Sequence, residues 1–305
     1  MKFWICSILA LAGAGRGFGC DFCAMYAAQQ AEGIAGTGFF AGLAEQYTWF
    51  DTFQSGGQPA ANPDGEYMHS LNSQVYAGYN FTDWLGVQLN LPVIYRAYGK
   101  TGVQASEAGI GDLSLAGNVR LWQHRTTDLT LTWTAMAGVK FPTGDPAQLN
   151  PALPEFAAGI GGHDLALGSG SYDGLFGTTL FGRFQRLFLS ASMQYGLRSE
   201  GAFQYRFAND WSWSGGPGFY VWLQDSASCS VQAVVSGETK GQDTVAGVPM
   251  DDTAERIVYL GPRVNFTWAE NWSLEAEGDL PVSIVSSGDM LVPNYRIRAA
   301  LNCRF

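Results

Sequence analysis

Hydrophobic and polar residues alternate with a period of two along much of this chain. In residues 85–97, Leu85, Val87, Leu89, Leu91, Val93, Tyr95 and Ala97 fall on one face, and Gly86, Gln88, Asn90, Pro92, Ile94 and Arg96 on the other. Successive side chains of a strand point to opposite sides, so the run predicts a β-strand with one greasy and one polar face. Residues 112–124 set Leu113, Leu115, Gly117, Val119 and Leu121 against Asp112, Ser114, Ala116, Asn118 and Arg120. Residues 129–141 set Leu131, Trp133, Val139 and Phe141 against Thr130, Thr132, Thr134 and Lys140. Strands of soluble sheets usually run about 5–6 residues. These are about twice as long, the length a tilted strand needs to cross a bilayer.

The same reading places strands at 35–53, 66–80, 84–98, 110–124, 128–141, 171–184, 187–199, 216–225, 228–240, 255–268, 272–284 and 294–305. An even count returns both chain ends to one side of a membrane. Short connections at 81–83, 125–127, 185–186, 226–227 and 269–271 alternate with long ones at 99–109, 142–170, 200–215, 241–254 and 285–293. Short turns belong on the periplasmic side and long loops outside. The predicted fold class is therefore all-β: a closed antiparallel transmembrane β-barrel of about 12 strands, after a short helical or irregular N-terminal segment. Trp49, Phe50, Phe53, Tyr79, Phe81, Trp84, Tyr95, Trp122, Trp268 and Trp272 lie near strand ends, where amphipathic rings suit the lipid headgroup level. The competing fold is a soluble β-sandwich, which would have to bury a very large apolar face.

Composition narrows the function. Of 305 residues, 39 are Gly and 42 aromatic, and only 44 carry a charge, 14%. Soluble proteins average about 25% charged. A net charge of −10, without a dense basic stripe, disfavours a nucleic-acid partner. Mean hydropathy near zero suits a wall that alternates lipid-facing and lumen-facing positions. Lys2 followed by an apolar stretch at 3–14 reads as a secretory signal peptide. The expected division is a signal at 1–19, with cleavage after Gly19 or Ala14, a periplasmic or plug-like segment at 20–34, and an outer-membrane barrel at 35–305. Within the segment, Cys20 and Cys23 suit a disulfide, half of a metal site, or lipidation of Cys20, and no metal is assigned. Residues 24–33 can form two or three helical turns that plug the periplasmic mouth, or a tail that meets a periplasmic partner. Cys229 and Cys303 are expected to face lipid on separate strands.

Three segments resemble a known family. They are Phe81-Thr82-Asp83-Trp84-Leu85-Gly86-Val87 with Leu91-Pro92, then Gly109-Ile110-Gly111-Asp112-Leu113, then Gly138-Val139-Lys140-Phe141-Pro142-Thr143-Gly144-Asp145. In order and spacing the block from Tyr79 to Phe184 resembles the outer-membrane barrels named for the meta-pathway of phenol degradation. The resemblance implies a transporter-like barrel that passes small, apolar or aromatic molecules. The alternating end Tyr295, Ile297, Ala299, Leu301, Cys303 and Phe305 resembles the terminal aromatic signal by which such barrels are recognised by the outer-membrane assembly machinery.

Candidate chemistry is sparse. His69, His124 and His163 fall on different elements, and no nucleophile elbow supports pairing His163 with Ser169 or Ser171. No enzyme activity and no cofactor are expected. The polar face carries the more informative set. Glu275, Glu277 and Asp279 share a face of one strand, Arg296 and Arg298 line the next, and Arg263 projects from the one before. Antiparallel neighbours bring such residues within about 5 Å between Cβ atoms. The group is expected to be a lumen charge network, supplemented by Asp112, Arg120 and Lys140, that either filters a solute or stiffens the lumen. The expected function is passage of a small-molecule solute through a barrel set in outer-membrane lipid. The alternatives are a closed anchor or partner scaffold and, more remotely, a lipid-modifying enzyme.

Overall fold

The computed structural model describes residues 37–153, 160–224, 226–269 and 271–305. Within them the chain forms β1 (Gly38–Ser55), β2 (Tyr67–Asn80), β3 (Leu85–Lys100), β4 (Val103–Ile110), β5 (Ser114–Arg125), β6 (Leu129–Lys140) and β7 (Asp173–Phe184). It continues with β8 (Leu187–Leu197), β9 (Asp210–Leu223), β10 (Ala227–Lys240), β11 (Glu255–Trp268), β12 (Trp272–Ser286) and β13 (Asp289–Arg304). With β4 and β5 counted as one broken stave, these strands make a closed 12-stave antiparallel barrel. Its seam is an antiparallel ladder between β1 and β13, from Phe40 opposite Arg304 to Ser55 opposite Asp289.

Side-chain parity follows the alternation in the sequence. Val75, Leu89, Leu115, Val139, Leu180, Leu189, Val264 and Ile297 stand exposed on the outer wall. Inside, Gln46, Asn72, Gln88 and Asn90 are buried. Lipid takes the place of a packed apolar core, and closure satisfies every backbone group that an open edge would leave bare. Aromatic belts mark both ends of the wall. Tyr79 packs edge-on against Phe39 and Phe81, Trp268 stacks on Trp272, and Trp49 stacks on Tyr67 at the other end. Together the parity, the belts and the closure describe a transmembrane barrel of the bacterial outer-membrane type.

Several local expectations are corrected. Residues 99–109 are not a loop, because β3 runs to Lys100, turns at Thr101-Gly102 and returns as β4. Residues 285–293 are likewise strand, since β12 reaches Ser286 and β13 starts at Asp289. Strand β9 starts at Asp210, six residues before the expected 216. The stave expected at 110–124 breaks between β4 and β5. There the Gly111 N–H donates to the Pro92 carbonyl and the Leu113 N–H to Thr143 Oγ1, which frees Asp112 from the ladder. Phe50 and Phe53 leave the aromatic belt and pack on Met68, Tyr98, Leu165 and Leu291. Irregularities between Trp49 and Thr52 reset the alternation, and Asn294 Oδ1 fills the bulge by accepting the Asp51 and Thr52 N–H groups. Cys303 is buried, not open to lipid, and Cys229 is half-buried; neither forms a disulfide among the described residues. The calls on residues 1–34, including Cys20 and Cys23, lie outside the described residues.

Candidate functional site

The barrel register builds a charge cluster from three consecutive strands. Arg263 of β11 lies opposite Glu277 of β12, and Glu277 in turn lies opposite Arg298 of β13, with Asp279 opposite Arg296 beside them. All six charged side chains expected in this network are within it. Arg263 reaches Glu277 Oε2 at 2.6 Å and Glu275 Oε1 at 3.4 Å. Arg298 pairs with Glu277 and, at 2.7 Å, with Asp279, which also takes the Arg296 Nε at 3.1 Å. Every one of these side chains is buried.

Three members were not among the sequence candidates. Glu238 of β10 sits 3.6 Å from Arg296, accepts the Tyr259 hydroxyl at 2.7 Å, and Tyr259 lies beneath the Arg296 guanidinium at 4.0 Å. Gln232 accepts from Arg263 at 3.4 Å. Their signal was present: Gln232 and Glu238 share the inward parity of β10, and Tyr259 shares that of Arg263 on β11.

The other polar candidates separate from this cluster. Lys140, at the top of β6, bonds Asp112 at 2.6 Å and Asp173 at 2.8 Å, and Asp173 is shared with Arg198, which also reaches Asp210 at 2.6 Å. This rim cluster holds a strap, residues 160–171, across the outer end of the lumen. Asp112 accepts both the N–H and the hydroxyl of Ser169, at 2.9 and 2.8 Å, and the Lys140 ammonium also meets that hydroxyl. From β3, Arg96 donates to the carbonyls of Asp164 and Ala166 at 3.0 and 2.6 Å. Ile160 and Leu165 are fully buried against Met68, Ala97, Tyr98 and Leu291. Beside the strap, Tyr205 donates to Asp243 at 2.5 Å, and Lys240 pairs with the same carboxylate at 2.9 Å. Burial, with the Asp243 carboxylate next to it, pushes the Tyr205 phenol far above its usual range.

Arg120 goes elsewhere, to the periplasmic turns, where it meets Asp83 at 3.5 Å and Gln123 at 3.1 Å. The histidines stay on separate elements. His69 packs on Trp49 outside the wall, His124 stacks on Trp122, and His163 stacks on Tyr205 in the strap region. Ser171 is engaged with Asp173 at 2.9 Å.

The lumen is unequal across its width. On β1, β2 and β3 the inward residues are packed solid, as with Asn72, Gln88 and Asn90. On the opposite side, toward the periplasmic end, Thr130, Thr132, Thr134, Arg183, Phe188 and Ser190 remain half-buried and Thr179 is exposed. A vestibule therefore opens at the periplasmic end of one side of the barrel, flanked by the charge cluster, while farther up the same strands Met136, Leu175, Ser192, Gln194, Ser212 and Ser214 are buried.

Comparison with known proteins fits this construction. A family described as a putative MetA-pathway of phenol degradation matches residues 58–280, well over half of the chain. The chain belongs to that family. A solved outer-membrane channel from Pseudomonas putida F1 superposes with a TM-score of 0.66 at 13% identity, covering 89% of this chain and 96% of its own. The β domain of the Bordetella autotransporter BrkA gives a TM-score of 0.47 at 11% identity, covering 87% and 99%. No curated protein matches. This family member thus has the fold of an outer-membrane channel, set in lipid.

Proposed function

We propose that the protein conducts a small solute across the outer membrane through the one-sided vestibule, with the strap at 160–171 as its outer closure. The observation that carries this reading is the contrast at the periplasmic end of the lumen: solid packing on one side, half-exposed Thr, Ser and Arg side chains on the other. A barrel built only as an anchor has no need of a polar, solvent-reaching cleft. The charge cluster of Arg263, Glu275, Glu277, Asp279, Arg296 and Arg298 borders the route and sets its polarity. Arg96 and Lys140 each hold the strap with charge-assisted hydrogen bonds, worth about 1.5–3 kcal/mol apiece.

Planar-bilayer conductance tests the proposal. Arg96→Gln and Lys140→Gln are each expected to raise the open probability severalfold over the unmodified protein. A folded double variant with no measurable flux of ions or small neutral solutes would favour the closed-scaffold reading. Two further roles belong to the same proposal. Phe305, exposed beyond β13 with its N–H on the Phe39 carbonyl, serves as the recognition signal for the assembly machinery. The segment at 20–34 serves as the periplasmic plug or partner contact.

A further inference from the structure

Aromatic side chains of this barrel mostly gather on its outer belts, but three inside the vestibule do not. Strand parity turns Phe181 of β7, Phe188 of β8 and Tyr220 of β9 into the lumen, since Leu180, Leu189 and Phe219 beside them are exposed on the lipid face. The ring centroids lie 5.9 Å apart for Phe181 and Phe188, and 5.2 Å for Phe188 and Tyr220. All three rings are half-buried. Phe188 lies over Gly218, where an added Cβ would fall 2.1 Å from the ring, so this neighbour has to be glycine for the ring to lie flat there. Above them Gln232 spans the same glycine strand, donating to Ser190 Oγ at 2.6 Å and to the Gly216 carbonyl at 2.8 Å.

Within the lumen the charge of this corner has one sign, Asp128 lying on the exposed turn before β6. Arg183 stands directly across the ladder from Phe188. The inward positions at 130–136, 175–183, 188–194, 212–220 and 228–236 include no carboxylate. Asp173, at the top of β7, is separated from Arg183 by ten residues, or about 33 Å of strand.

We propose that Phe181, Phe188 and Tyr220, with Arg183 beside them, bind a single aromatic ring bearing a carboxylate. The rings give the ligand a stacking face and the arginine a charge to meet, while Ser190 and Gln232 border the site with polar groups. This deepens the channel reading by naming its solute class, and rests on that reading for its physiological meaning. A neutral hydrocarbon would use the rings and leave Arg183 idle. An aliphatic anion would use Arg183 and gain less from the rings.

The test is binding, read without flux, by saturation-transfer NMR on the full-length protein in detergent with benzoate and cyclohexanecarboxylate as probes. Benzoate is expected to bind about 2–10-fold tighter, the range of an aromatic contact. Phe188→Leu, which keeps most of the volume, should abolish that preference, and Arg183→Gln should weaken benzoate several-fold while leaving phenol unchanged. Gly218→Ala should act like Phe188→Leu by displacing the ring. Each variant is first checked for the folded form by its heat-modifiable mobility. Equal affinity for the two carboxylates, or a preference unaffected by both Phe188→Leu and Tyr220→Leu, overturns the proposal. Ring-selective binding in a protein that passes no solute would defeat the channel reading alone. Flux without ring selectivity would defeat this site alone.

Discussion

Glu277 holds two guanidinium groups on one buried carboxylate, those of Arg263 and Arg298. Removing one partner from such a network leaves a buried charge uncompensated, at a cost of about 3–5 kcal/mol. Glu277→Gln is therefore expected to lower the urea midpoint of the vesicle-inserted barrel markedly. The double variant Glu277→Gln/Arg298→Gln should lose less than the sum of its parts, because each change relieves the other. Gly261 presents a different constraint: a Cβ there would lie 1.8 Å from the Gly278 carbonyl oxygen of the neighbouring strand. Gly261→Val is expected to reduce the folded fraction on refolding, read as loss of the heat-modifiable band. At this scale the polar face was legible wherever alternation was strong, which is how Arg263, Glu275 and Arg298 could be named from parity. Glu238 shared that parity and was missed because its partners Arg296 and Tyr259 come from other strands. Asp112 and Lys140 were named as lumen residues but not as strap ligands, since their partner Ser169 lies in a stretch without periodicity.

The elements divide in the same way. Strands with a sharp contrast between faces, such as β3 and β6, matched their expected ranges closely. β4 carries Val103, Ala105, Glu107 and Gly109 against Gln104, Ser106, Ala108 and Ile110, so neither face stands out and the hairpin read as a loop. β13 was cut short for another reason: Gly288 turns the chain with a positive φ, and Pro293 has no N–H to give a ladder. Pro293 sits where the β12–β13 pairing has already ended above Asp279 and Arg296, and that part of β13 pairs with β1 alone. The strap was invisible because its fixation is made by long-range side chains, with Arg96 and Asp164 separated by 68 positions. If those bonds hold it, Asp112→Asn, which removes the charge meeting Lys140, should speed proteinase K cleavage within 160–171 in intact vesicles by severalfold. Cleavage rates equal to those of the unmodified protein would mean that apolar packing of Ile160 and Leu165 holds the strap by itself.

For the whole molecule, near-neutral hydropathy and few charges were compatible with a soluble sheet protein. Strand length and the outward row of Val, Leu and Ile decided against it, because only lipid can cover such a wall on every side. The ring is fastened where β1 meets β13, between segments about 250 positions apart, and contacts that distant form late because the loop they close is long. Until the final hairpin has been made, β1 and β12 each present a row of unbonded backbone groups, which hydrocarbon cannot solvate. A chain cut before Asp289 is accordingly expected to stay protease-sensitive and outside the bilayer after refolding. Entry into hydrocarbon is thus all or nothing: no part of the wall can settle there alone, and the ladder that joins β1 to β13 is the clasp of the ring.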